Sequence, residues 1–189
     1  MRIIAGALGG RIFKTVEGPG YRPATAKVRS AIFSMLASRG VIWEGLRVLD
    51  LFAGSGSLSF EAVSRGAAEA CLVEKEPVAV NCLTSNIEKL GLADRCHVAE
   101  TDVARFIRGR CYQPFDVIFV DPPYRQNKLL PTLKAIMRGG WLSSGGYLLA
   151  EVEDMLRLDA TAIHADLELE TDRNYGQTRI LLWHLPPNA

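Results

Sequence analysis

Asp121-Pro122-Pro123-Tyr124 carries the most specific chemistry in this sequence. An amino group on an aromatic base is a poor nucleophile, because its lone pair is delocalised into the ring. Two acceptors, the Asp121 carboxylate and the Pro122 carbonyl oxygen, can accept its two N–H hydrogens. That turns the remaining lobe toward an electrophile and favours the more tetrahedral transition state. The two prolines fix the backbone bearing the acceptors, and Tyr124 offers a flat face for a stacked base. Positioning is the larger expected contribution, and the proton can leave once the nitrogen is cationic. The bland alternative is a turn that ends a buried strand.

The residues upstream decide between those two. Val48-Leu49-Asp50-Leu51-Phe52-Ala53-Gly54-Ser55-Gly56-Ser57-Leu58 reads as a strand, a glycine loop and a helix start. Gly54 and Gly56 let backbone N–H groups approach a ligand with no Cβ in the way. Alone the pair is weak, since dinucleotide enzymes share it. However, Ser59 stands where such a site usually has a third glycine. Asp50, at the strand end, can hold the cationic amino group of S-adenosylmethionine, and Glu74, ending the next strand, can accept both ribose hydroxyl hydrogens. Asp102 can accept from the adenine amino group, with the Val103 backbone on the ring edge; as a bland alternative, Asp102 is a helix cap.

Such residues need a scaffold that brings strand ends together. The coarse pattern supplies one: strands over 47–51, 70–74, 96–100, 115–120 and 147–152 alternate with helices ending near Arg65 and Gly91, then over 103–109 and within 127–138. Two late strands, about 167–172 and 178–184, join through Asn174-Tyr175-Gly176-Gln177 as an antiparallel pair. Alternation of this kind favours a parallel sheet with helices on both faces, whose ligands bind at the carboxyl ends of the strands beside the switch point. Ahead of it, residues 2–6 and 11–16 read as a short hairpin, and Thr25 as the N-cap of a helix with Val28, Ile32, Met35 and Leu36 on one face. The expected organisation is one α/β domain over 1–189: a basic extension over 1–24 and a catalytic core over 25–189.

Composition excludes several classes. The 189 residues carry a net charge of only +1, with 48% hydrophobic residues, as expected for one globular domain. No apolar run is long enough for a membrane span, and the N-terminal one is glycine-broken and ends at Arg11, too short for a signal peptide. Four scattered cysteines and three dispersed histidines offer no clustered metal ligands or disulfide framework. The expectation is a cytoplasmic, metal-free monomer. Charge is unevenly spread: Arg2, Arg11, Lys14, Arg22, Lys27 and Arg29 stand against Glu17 alone in the first 30 residues. A basic arm on a slightly acidic body suggests contact with a polyanion.

Together these motifs resemble the class I methyltransferases of the amino-nitrogen type, and within them the RsmD-type bacterial branch. The resemblance runs from Arg2-Ile3-Ile4-Ala5-Gly6 through Gly10-Arg11, Arg22-Pro23-Ala24-Thr25, Val28-Arg29, Asp50–Leu58 and Asp121–Tyr124 to Tyr175-Gly176-Gln177-Thr178. It implies a Rossmann-like fold, a seven-stranded mostly parallel sheet with one antiparallel strand, and N2-methylguanosine formation in 16S (small-subunit) ribosomal RNA. It puts Asp50, Gly54, Gly56, Glu74, Asp102 and Val103 on S-adenosylmethionine and Asp121–Tyr124 on the guanine. Arg2, Arg11, Arg22 and Arg29 would lie toward RNA or brace the cofactor loop, and Thr25 would touch the cofactor. Ala24-Thr25-Ala26 departs from the family's more polar stretch, which loosens the role of Thr25. The implied partner is ribosomal RNA, naked or in a subunit or assembly intermediate. Competing readings are adenine-N6 methylation of nucleic acid, methylation of a protein glutamine, a nucleotide-dependent oxidoreductase, and a non-catalytic RNA-binding module.

Overall fold

A computed structural model describes residues 1–16, 25–123, 126–156, 158–159 and 163–187. Arg22 and Tyr124 lie outside them. Helix α1 spans Ala26–Ser38 and begins at Thr25, whose Oγ1 accepts from the Val28 N–H at 3.2 Å, the cap read from the sequence. There follow β1 (Arg47–Leu51), α2 (Ser57–Arg65), β2 (Glu69–Glu74), α3 (Pro77–Leu90), β3 (Cys96–Glu100) and α4 (Val103–Phe106). The chain continues through β4 (Phe115–Val120), α5 (Leu129–Gly139), β5 (Leu142–Glu153), β6 (Glu168–Tyr175) and β7 (Thr178–His184).

The seven strands form one sheet in the order β3-β2-β1-β4-β5-β7-β6. Strands β1 to β5 run parallel, and β7 lies antiparallel to both β5 and β6, so β7 is the one reversed strand, as the resemblance implied. The order reverses between β1 and β4, which opens a crevice at the carboxyl ends of those two strands.

Period-two alternation sends side chains to two cores. Val48, Leu72, Phe119 and Leu149 pack under α1, α2, α3 and the N-terminal residues Ile3 and Phe13. Leu49, Ile118, Leu148 and Trp183 pack on the opposite face against α4 and α5. No helix among the described residues is long and apolar enough to cross a membrane.

Four elements differ most in extent from the sequence reading. The N-terminal hairpin is reduced to a single bridge, Arg2 to Ile12, because the next two N–H groups are taken elsewhere: Ile4 and Ala5 donate to the Glu61 carboxylate of α2 at 2.7 and 3.0 Å. Strand β5 starts at Leu142 rather than 147, because Gly145 and Gly146 pair with Leu185, an extension that no hydrophobic alternation announces. Helix α4 stops at Phe106, since Arg108, Gly109 and Arg110 beyond it are exposed and offer no apolar face. Strand β6 runs on to Tyr175, which pairs with Thr178, so the turn is two residues and not four.

Candidate active site

The crevice floor is acidic, and the strand register explains why. Asp50 of β1 pairs with Leu72 of β2 and Phe119 of β4, and Phe119 with Leu149 of β5. One pleat nearer the carboxyl edge, on the same face, come Glu74, Asp121 and Glu151. Among the described residues, none of these four carboxyls makes an ion pair. An acid-lined rim without a counter-cation suits a ligand that is itself positively charged and carries hydroxyl and amino donors. A sulfonium with an ammonium group and a ribose matches that donor set.

Asp50 is 2% exposed. Its Oδ2 accepts the Ser59 hydroxyl at 2.7 Å, and the Ser59 N–H also bonds it, so Asp50 caps the start of α2 from the neighbouring strand. Burial pushes its carboxyl up to about 7; the Ser59 bonds partly offset this and the Glu74 charge adds to it. Serine in place of a third glycine thus has a structural reason: it holds the acid. Gly56 caps α2 with φ +77°, and a Cβ there would lie 2.8 Å from the Phe60 ring and Leu83. Both conformation and space demand glycine. Phe52, a non-glycine at φ 68° between Asp50 and Gly54, holds strain of about 1–3 kcal/mol in the loop.

Glu74 is buried, not a solvated member of the Glu74-Lys75-Glu76 run. Its Oε2 accepts from Gly54 N at 3.0 Å, and its Oε1 from Lys75 N and Glu76 N at 2.8 and 3.0 Å. The carboxylate therefore ties the glycine loop to the end of β2. Of the roughly four lone-pair positions on a carboxylate, one stays open for a ribose hydroxyl, where two were expected. Asp102 is the N-cap of α4, accepting from Ala104 N at 2.9 Å; the Val103 side chain is buried in the core beside it. Thr25, expected on the cofactor, is exposed and occupied as the α1 cap.

Asp121 follows β4, its N–H donating to Leu51 O at 3.3 Å. Desolvation raises its carboxyl well above the ordinary range, and the charges of Glu151 and Asp50 add to the effect. Pro122 is buried and Pro123 half-buried. Both line a cavity of about 240 Å³ with Gln126, Lys128, Val152 and Met155. A larger cavity, about 690 Å³, lies between the N-terminal arm and the start of α1, and no carboxyl among the described residues lines it.

The expected RNA-facing arginines separate. Arg2 and Arg11 are exposed, although Arg11 also donates to Leu90 O at 3.1 Å. Arg29 is 2% exposed and donates to Arg2 O and the Met1 sulfur. It braces the N-terminal segment and presents no charge to solvent. Its helical spacing alone could not show that, because the covering segment lies far away in sequence. Sequence reasoning missed Glu151 altogether. The signal was an acid inside the apolar run Leu148-Leu149-Ala150-Glu151-Val152.

Comparison with known proteins places this arrangement in a family. The model of the family described as Conserved hypothetical protein 95 matches residues 1–184. YlbH of Bacillus subtilis (strain 168) is 35% identical over 185 residues, covering 97% of this chain and 98% of that protein. Ribosomal RNA small subunit methyltransferase D of Escherichia coli (strain K12) is 34% identical, covering 97% and 89%. Among solved structures, yhhF from Escherichia coli superposes with a TM-score of 0.83 at 31% identity, over 100% of this chain and 99% of that one. The chain belongs to the Conserved hypothetical protein 95 family, the RsmD-type family that its motifs resembled.

Proposed function

We propose that this chain methylates the exocyclic N2 of a guanine in small-subunit ribosomal RNA, as a single catalytic domain with S-adenosylmethionine as methyl donor. The observation that carries this reading is the position of Asp121-Pro122-Pro123 at the end of β4, across the switch point from the glycine loop of β1. The Escherichia coli relative, a ribosomal RNA small subunit methyltransferase by name, supports the RNA class.

S-adenosylmethionine, when bound, supplies an electrophilic methyl carbon on a positively charged sulfur. Asp50 and the Gly54–Gly56 loop would hold its methionine portion, Glu74 a ribose hydroxyl, and Asp102 the adenine. Asp121 and the Pro122 carbonyl accept the two amino hydrogens of the target base and hold its lone pair toward the methyl. Tyr124 stacks on that base, which must leave its own stack to reach the crevice. The exposed Arg2 and Arg11 face the phosphate backbone, and the same role is proposed for Arg22, outside the described residues.

Nucleoside mass spectrometry of ribosomal RNA from cells with and without the protein tests the reading. Loss of N2-methylguanosine at one site is the expected result. A missing N6-methyladenosine or a methylated protein glutamine would move the substrate, and unchanged RNA and protein would reject methyl transfer. Asp121→Ala should lower turnover by about two orders of magnitude or more, with S-adenosylhomocysteine affinity kept within a few-fold. Retained turnover would remove Asp121 from the chemistry.

A further inference from the structure

Glu151 has no part in the reading above, yet it is the least ordinary acid in the molecule. It is 4% exposed, in the middle of an apolar stretch of β5. Its Oε2 is buried with no hydrogen-bond partner. A buried carboxylate left half-satisfied is destabilising, so such an atom calls for an explanation. The register supplies a neighbour: Val120 pairs with Ala150, which sets Asp121 and Glu151 side by side at the ends of adjacent strands.

The groups acting on this pair come from three strands. The Thr178 hydroxyl of β7 bonds the Glu151 carboxyl, Asp121 faces it from β4, and Asp50 of β1 acts on Asp121. Helix α1, packed over the same face, contributes Arg29, whose charge is answered by Glu61. Among the described residues, no cation pairs with either carboxyl. Burial pushes Glu151 up to about 7, and its charge raises Asp121 in turn. Two such neighbours cannot both ionise freely, and their titration belongs to the pair.

We propose that Glu151 is a positioning residue that shares a proton with Asp121 across the β4–β5 boundary, making the pair the place where the target nitrogen's proton goes. The inference rests on the methyl-transfer reading. In that reaction the nitrogen lone pair becomes the new N–C bond, while the electron pair of the old C–S bond stays on sulfur. The nitrogen is left with four bonds and a positive charge. One N–H proton then leaves, its bonding pair returning to nitrogen, and the carboxyl pair takes it before releasing it to water. The Glu151 charge makes Asp121 a better acceptor than a lone carboxylate, and the proton on Glu151 gives the orphaned Oε2 a hydrogen bond to make.

The test is the pH dependence of single-turnover methyl transfer, measured for the wild type and two variants expected to shift it in the same direction by different amounts. Glu151→Gln keeps the shape and removes the charge, so the midpoint of the acid limb should fall by about one pH unit, a tenfold change in proton affinity. Thr178→Val removes the hydroxyl that favours ionised Glu151, so less charge faces Asp121 and the midpoint should fall, by less than in Glu151→Gln. S-adenosylhomocysteine affinity should stay within a few-fold in both. Coincident profiles for all three proteins, or a midpoint that rises in either variant, would overturn the proposal while leaving the methyl-transfer reading in place, provided that Asp121→Ala is inactive. Absence of transfer by the wild type would reject the underlying reading itself. If Glu151→Gln does not fold, the Thr178→Val shift decides the matter alone.

Discussion

Asp50 shows how one side chain serves both fold and site. Its carboxylate caps α2 through Ser59 and lies buried on the crevice floor. Because burial pushes it up to about 7, its charge is incomplete near neutrality. A ligand ammonium beside it favours the ionised form, so affinity should rise with pH through that value. Calorimetric titration with S-adenosylhomocysteine at pH 6, 7 and 8 should show the rise. Ser59→Ala removes the hydroxyl bond that favours the charged form, which should move the midpoint upward and weaken binding most at pH 6. A flat profile in both proteins would detach Asp50 from the ammonium.

At the scale of elements, the N-terminal arm is held by helices and not by strand pairing. Glu61, fully buried on α2, accepts from Ile4 and Ala5, and also pairs with Arg65 at 2.8 Å. Ser64 accepts from Leu8 N and donates to Ala5 O, while Asn86 of α3 exchanges two bonds with Lys14. Val16 N donates to Ser55 Oγ at 2.9 Å, so the arm reaches the glycine loop at Val16. Gly6 makes this docking possible: at φ +83°, a Cβ would lie 1.9 Å from Ser64 O. Gly6→Ala should therefore cost about 2–4 kcal/mol. That corresponds to a melting temperature lower by about 5–10 °C, with faster hydrogen exchange at Ile3, Ile4 and Ala7; unchanged exchange there would show that the arm docks otherwise. The arm also presents Arg11. Neutralising it should reduce the slope of log RNA affinity against log salt by about 0.7–0.9, and an unaltered slope would place the RNA elsewhere.

For the whole molecule, the acidic row links stability to pH. Asp50, Asp121 and Glu151 all hold protons more tightly in the folded chain than ordinary carboxyls do. Between about pH 4, where unfolded carboxyls ionise, and about 7, where Asp50 and Glu151 do, the folded state binds more protons. Stability from these groups is thus highest at the acid end of that window and falls as pH rises through it. Asp172 acts in the opposite sense, lowered by its bond to Arg179, but it is exposed and screened. Calorimetric melting of the ligand-free protein should give a lower transition temperature at pH 8 than at pH 5. Asp50→Asn should narrow that difference, and a higher transition temperature at pH 8 would contradict the assignment. An acid row costly to the free protein fits a site that trades stability for binding a cation.

Much of this was legible in the residues alone. Asp121-Pro122-Pro123, the Gly54–Gly56 loop, Thr25 as a cap and the strand over 115–120 announced themselves, because turn chemistry, capping and hydrophobic period are local properties. The family pattern added the sheet and its one reversed strand. Tertiary structure alone decided the rest. Arg29 is buried because distant Met1 and Arg2 cover it, and the hairpin shrinks because Glu61 captures its N–H groups. Glu151 acquires its neighbour because β4 and β5 pair in one particular register. Each of these depends on which segments meet across long stretches of chain, and no local spacing encodes that.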